Sequence, residues 1–257
     1  MFLQPYLTEV YTLRRYLTAI LILFFSAYSI YWLCSDVVVM QLVWNENGVV
    51  ELSTAFFFVL ASVFFFLTFR ANINVFLLLL ALLMFVAAGE ELSWGQHLLH
   101  FSTPDSLNKV NVQHEFNFHN IEMFNGVYKG GIKKQWYQRL LDINILFRLF
   151  CVVYGILLPL YYWHIRRAPK VSARWQMPVM PVSMGIFFLL SWAVFYCIKY
   201  YWLPAGKSRD YYLTPAEVYE MQSAFIFFST AVYFYRHRHI TGFLGKDVKQ
   251  YLQEKQG

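Results

Sequence analysis

Long apolar runs constrain this chain more than any motif does. An α-helix needs about 20 mostly apolar residues to cross the hydrocarbon core of a bilayer. Runs of that kind fall at about residues 15–35, 50–69, 72–90, 143–164, 180–203 and 214–235. Inside a bilayer, backbone polar groups can be satisfied only within helices or closed barrels, and runs this long read as helices. Composition agrees, because only 14% of the 257 residues are charged and 58% are hydrophobic, whereas a soluble domain carries about 25% charged residues. The sequence therefore predicts an all-α fold: one polytopic membrane bundle of about six transmembrane helices over residues 1–257.

Charge orients the bundle. Arg14, Arg15, Arg70, Arg166, Arg167, Lys170, Arg174, Arg236 and Arg238 fall on one side if the spans alternate. The positive-inside rule assigns that side, with both termini, to the cytoplasm. It also accounts for the net charge of +6 without nucleic acid as a partner. The first run is too long for a signal-peptide core and no small-residue cleavage site follows it, so it reads as a retained span. The expected location is a bacterial inner membrane or a plasma membrane. Cys34, Cys151 and Cys197 lie in or beside apolar runs with no CxxC spacing, which makes them packing residues rather than a disulfide or zinc framework.

With this orientation, only Glu9, Asp247 and Glu254 of the 15 acids are cytoplasmic. The others gather at or near the outer face, where the one long loop, about 101–141, joins spans three and four. An internal echo points the same way. Glu51-Leu-Ser-Thr-Ala-Phe opens span two, and Glu220-Met-Gln-Ser-Ala-Phe lies near the start of span six. Small residues one turn below each glutamate allow close helix approach, so the echo predicts that these two spans pair.

Two stretches carry the residues suited to chemistry. In Gly89-Glu-Glu-Leu-Ser-Trp-Gly-Gln-His-Leu-Leu-His100, a helix continued from span three would set Glu90, Trp94 and His97 on one face. His100 would follow one turn on. In Asn111-Val-Gln-His-Glu-Phe-Asn-Phe-His-Asn120, Glu115 and His119 would meet on one helical turn. If the segment is extended, Gln113, Glu115, Asn117 and His119 would share a face instead. Val112, Phe116 and Phe118 would anchor this loop over the mouth of the bundle.

Glu217 follows Thr214-Pro215-Ala216, the pattern of a capping box with proline at the first helical position. Glu220 and Glu51 have no such explanation, and ionisable residues at membrane depth are functional candidates by default. Arg148 and Lys199, near outer span ends, can snorkel or pair with these acids. No Gly-rich phosphate loop, HExxH helix or GxSxG elbow is present, which leaves a carboxylate–imidazole site.

These residues point to a membrane enzyme with a metal-assisted site at the extracytoplasmic face. The expected ligands of a divalent Zn, Mn or Fe ion are Glu90, His97, Glu115 and His119, a mixed N/O set. Glu91, Glu220 and Glu51 are the expected catalytic carboxylates, taking protons from metal-bound water. A site at headgroup level favours a lipid or lipid-linked substrate, processed by hydrolysis or group transfer. Two other classes fit the same residues. One is a proton- or cation-coupled transporter with an acidic outer vestibule; the other is a non-catalytic membrane subunit that docks a partner through its outer loop.

Overall fold

The structure, a computed structural model, describes residues 48–165, 177–197 and 209–238. The first expected span, Arg14, Arg15, Cys34, Lys199 and the basic stretches around 166–176 and 239–257 lie outside the described residues. Within them the fold is all-helical, with no strand and only two isolated β-bridges, Asn111↔Ile121 and Val127↔Lys133.

Helix α1, Val49–Asn72, and helix α2, Val75–Glu91, form an antiparallel hairpin. Its turn needs only two residues. Ile73 takes a left-handed conformation that stops α1, and Asn74 caps α2 by accepting the Phe76 N–H at 2.9 Å. Polar contacts between the two helices are sparse but placed at depth: the Ser62 hydroxyl donates to the Ala81 carbonyl at 2.8 Å. Helices α3, Ile143–Val152, and α4, Leu158–Ile165, are joined by a π-helical turn, Val153–Leu157, into one long rod. Helix α5 covers Val182–Cys197, and helix α6 covers Arg209–Arg236.

Among the described residues, two helices are long and apolar enough to cross a membrane: α1 and the α3–α4 rod over Ile143–Tyr161. Helix α2 makes a third if it is counted with the bent segment that follows it, and α5 is apolar but shorter. Their outward faces fit lipid. On α2, Leu79, Leu82, Leu83, Phe85 and Val86 are all exposed, an apolar surface too continuous for a soluble helix. These features are compatible with an integral membrane protein.

The expected pairing of spans two and six is present. Phe57 packs edge-on to Phe225, Phe64 against Tyr235, and Phe65 against Phe234, with ring centroids 5.2, 5.3 and 6.0 Å apart. The contacts advance together along both helices, so α1 and α6 run parallel with Glu51 level with Glu220. Ala55 and Ala224, the small residues of the echo, are both buried in the bundle. The α1–α2 hairpin brings the end of α2 back to the same level. Phe227, fully buried, ties in the remaining helices through Phe150 at 5.6 Å and Phe188 at 5.4 Å.

A close backbone approach joins the π-helical turn to α5. A Cβ on Gly185 would sit 2.2 Å from the Gly155 carbonyl oxygen, and one on Gly155 would sit 2.7 Å from the Phe188 ring. Glycine at both points is what lets the helices touch. Gly185→Ala should therefore destabilise the bundle by about 1–3 kcal/mol, read as a lower thermal midpoint in detergent. Ile186→Ala, on the exposed face beside it, should stay within about 0.5 kcal/mol of the parent.

Candidate functional site

Helix α2 does not continue through the 89–100 motif as its spacing predicts. It ends at Glu91, and the segment Ser93–Leu99 departs at 65°. Ser93, Trp94 and Gly95 have φ of 44°, 53° and 82°, three consecutive left-handed residues. Only glycine adopts that conformation freely; the other two cost roughly 1–2 kcal/mol each. Side-chain bonds hold the break. The Trp94 ring folds back onto Gly89, where any Cβ would lie 3.0 Å from it, and its indole N–H donates to Glu90 Oε1 at 2.7 Å. Ser93, buried, donates from its hydroxyl to Glu115 Oε2 at 3.0 Å and accepts from Asn117 Nδ2 at 3.1 Å.

The long loop folds back onto this break. Its frame is a buried asparagine network. Asn111 Oδ1 accepts the backbone N–H groups of Gln113 (2.9 Å) and Glu115 (3.2 Å), while its amide donates to the Asn117 carbonyl at 3.0 Å. Glu115 Oε2 also accepts from Asn117 Nδ2 at 2.5 Å and Asn120 Nδ2 at 3.3 Å. Gln96, on the bent segment, accepts the Phe116 N–H at 2.6 Å and donates to Thr103 at 2.8 Å. Phe116 packs edge-on to Phe101 at 5.4 Å, whereas Phe118 remains exposed.

The four residues expected to ligate one metal are instead sorted into two pairs. Glu90 Oε2 accepts the backbone N–H groups of Phe118 (2.7 Å) and His119 (2.8 Å), and His119 Nδ1 lies 3.4 Å from the same oxygen. His97 Nε2 lies 3.7 Å from Glu115 Oε1. Among the described residues, no three His, Cys, Asp or Glu side chains are arranged to hold a metal ion. The break in α2 is the reason, because it rotates His97 off the face that carries Glu90. Residues 113–119 are neither a helical turn nor a strand, so Glu115 and His119 serve different partners. His100, left-handed and exposed, joins neither pair.

The expected catalytic carboxylates do come together. Glu91 on α2 lies within electrostatic reach of Glu220 and Glu217 on α6, Glu51 on α1 and its neighbour Glu90. Glu220 in turn feels His119 from the loop and Arg148 from α3. The Arg148 guanidinium also stands 5.8 Å from the centroid of the Phe195 ring. Thus α1, α2, α3, α6 and the loop each bring a charged or titratable group to one end of the bundle. Glu217 is not a capping residue. Helix α6 begins at Arg209, so residues 214–217 lie within the helix and Glu217 joins the acids one turn before Glu220.

Sequence reasoning missed most of the parts that position the site: Ser93, Gln96, Asn111 and Asn120. The signal was present in the asparagine spacing of residues 111–120, since asparagine side chains close turns by bonding to nearby backbone.

Glu90 is thus a clamp, its two oxygens taken by N–H donors from three residues. A neutral amide cannot accept on both atoms, so Glu90→Gln leaves donors facing donors. Bonds to a charged acceptor are worth about 1.5–3 kcal/mol each. Hydrogen exchange should find the Phe118 and His119 amides opening at least about tenfold faster in Glu90→Gln, and unchanged in Glu91→Gln.

Compared with known proteins, the chain matches no family model, no curated protein and no solved structure.

Proposed function

We propose that the chain is a six-span membrane enzyme with both termini in the cytoplasm. Its site, at the extracytoplasmic face, binds a divalent metal ion and hydrolyses, or transfers a group from, a lipid or lipid-linked substrate. One observation carries the reading: Glu91 faces the charges of Glu51, Glu217 and Glu220, brought from two other helices into the mouth of an apolar bundle. Carboxylates gathered in this way favour a bound cation, and oxygen-rich ligands with one imidazole suit Zn, Mn or Fe.

Glu91, Glu220 and Glu51 would supply the oxygens and His119 the nitrogen. Glu90 then has a different role from the ligand role expected of it. It faces His119 Nδ1 and leaves Nε2 for the cluster, as carboxylates do for metal-bound histidines elsewhere. Closing these side chains on one ion takes rotamer changes at Glu91 and Glu220, both only partly buried. The Glu115–His97 pair and its asparagine frame hold the loop that delivers His119.

A divalent ion held by Glu91, Glu220, Glu51 and His119 would supply Lewis-acid chemistry at this position. Glu217, the carboxylate of the cluster outside that set, would take the proton of the attacking water and return it to the leaving oxygen. Arg148, beside Glu220, would offset negative charge that develops on the substrate. The site's position at the end of membrane-length helices supports an amphiphile whose reactive group sits at headgroup level.

Elemental analysis of the protein purified in mild detergent tests this. About one equivalent of a transition metal should co-purify, and Glu91→Ala and His119→Ala should lose it while eluting as folded protein. Glu90→Gln should weaken retention by about 10–100-fold, as loss of an orienting partner does. Glu122→Ala, on the far part of the loop, should retain the metal. A protein without metal, or one whose metal survives both alanine substitutions, would contradict the proposal.

A further inference from the structure

Between the site and the first turn of α3 lies a segment that is tightly fixed yet uncovered. Residues 126–134 form a small hairpin, with the Val127↔Lys133 bridge and a turn at Gly130 and Gly131. A single 3₁₀ turn, Trp136–Arg139, follows, closed by a capping box between Gln135 and Gln138. Arg139 donates from Nε and Nη2 to Asp142 Oδ2, at 3.0 and 2.7 Å, and buried Asp142 caps α3 by accepting the Asn144 N–H at 3.0 Å. Gly126 is pressed against this ion pair, where a Cβ would lie 2.7 Å from Asp142 Oδ2. The Lys134 ammonium donates to the Glu122 carbonyl and stands over the Tyr128 ring.

Despite these ties, the apolar side chains point away from the protein. Ile132 is 68% exposed, Trp136 79%, Tyr137 56% and Leu140 68%. An ordered backbone displaying four large apolar side chains needs a cover. Covalent continuity supplies one. Leu141 and Asp142 lead directly into Ile143–Tyr161, a helix of membrane length, so the segment sits within a few residues of the bilayer surface. Tryptophan and tyrosine beside lysine and arginine are the composition of that surface layer.

We infer that residues 132–141 lie flat in the headgroup layer of the leaflet at the site's end of the bundle, with Ile132, Trp136, Tyr137 and Leu140 inserted among the upper acyl carbons. The segment is thus an interfacial anchor. It fixes the loop's height, and with it that of His119, relative to the lipid. The inference holds whether or not a metal binds.

The test is fluorescence of the full chain in nanodiscs, with the Trp136 signal taken as the difference between the parent and Trp136→Phe. Among the described residues Trp136 meets no ring but that of Tyr137, so this replacement should leave the fold intact. Lipids brominated near the top of the acyl chain should quench the Trp136 component, and iodide in the water should not. Leu140→Asp should reverse both responses while the elution profile stays that of the folded protein. Quenching by iodide alone would overturn the inference. Protection from both quenchers would also overturn it, because protein rather than lipid would then cover the segment.

Discussion

The carboxylate of Glu90, held by the indole of Trp94 and the backbone N–H groups of Phe118 and His119, is the contact on which the rest of the site depends. A helix that simply ran on would leave the long loop unattached and carry His97 away from Glu115. By ending at Glu91, α2 exposes its last turn to the loop, and Glu90 fastens the loop there. The left-handed residues at 93–95 are the strain that this contact and the Ser93–Glu115 contact hold in place. Two glutamates adjacent in sequence therefore do opposite things. Glu90 is saturated by donors, while Glu91 turns to the acids of α1 and α6.

That second set follows from helix register. The α1–α2 turn is short and α1 runs parallel to α6, so Glu51, Glu91 and Glu220 reach the same level from three helices. Coulomb repulsion among them is sustained in a folded protein only by nearby cations, by bound protons or by an ion. Arg148 and His119 provide part of that balance for Glu220.

Much of the architecture was legible because it rests on local physics. Apolar runs of bilayer length became helices at each expected position within the described residues. The echo between Glu51 and Glu220 became a real helix pair, since glutamate followed by Thr-Ala or Ser-Ala marks a face made for close contact. What was not legible depends on residues far apart in sequence. The spacing set Trp94 beside Glu90, but nothing near Glu90 announces that it also accepts the Phe118 and His119 N–H groups 28 and 29 residues on, and the spacing of Glu90 and His97 fits an unbroken helix equally well. The Thr-Pro-Ala-Glu run at 214–217 satisfies the rules for a helix start, yet α6 had begun five residues before it. Residues 111–120 misled for a third reason: their order comes from asparagine side chains bonding to backbone, a pattern with no fixed period.

The central claim is that carboxylates from α1, α2 and α6 meet at one point. Electron paramagnetic resonance on spin labels tests it most directly, with labels at positions 51 and 220, and at 91 and 220, in a cysteine-free background in lipid. Both pairs should show dipolar broadening at low temperature, while a pair at positions 70 and 220, at opposite ends of the bundle, should not. Line shapes of isolated spins for the first two pairs would mean that the acids do not share a site.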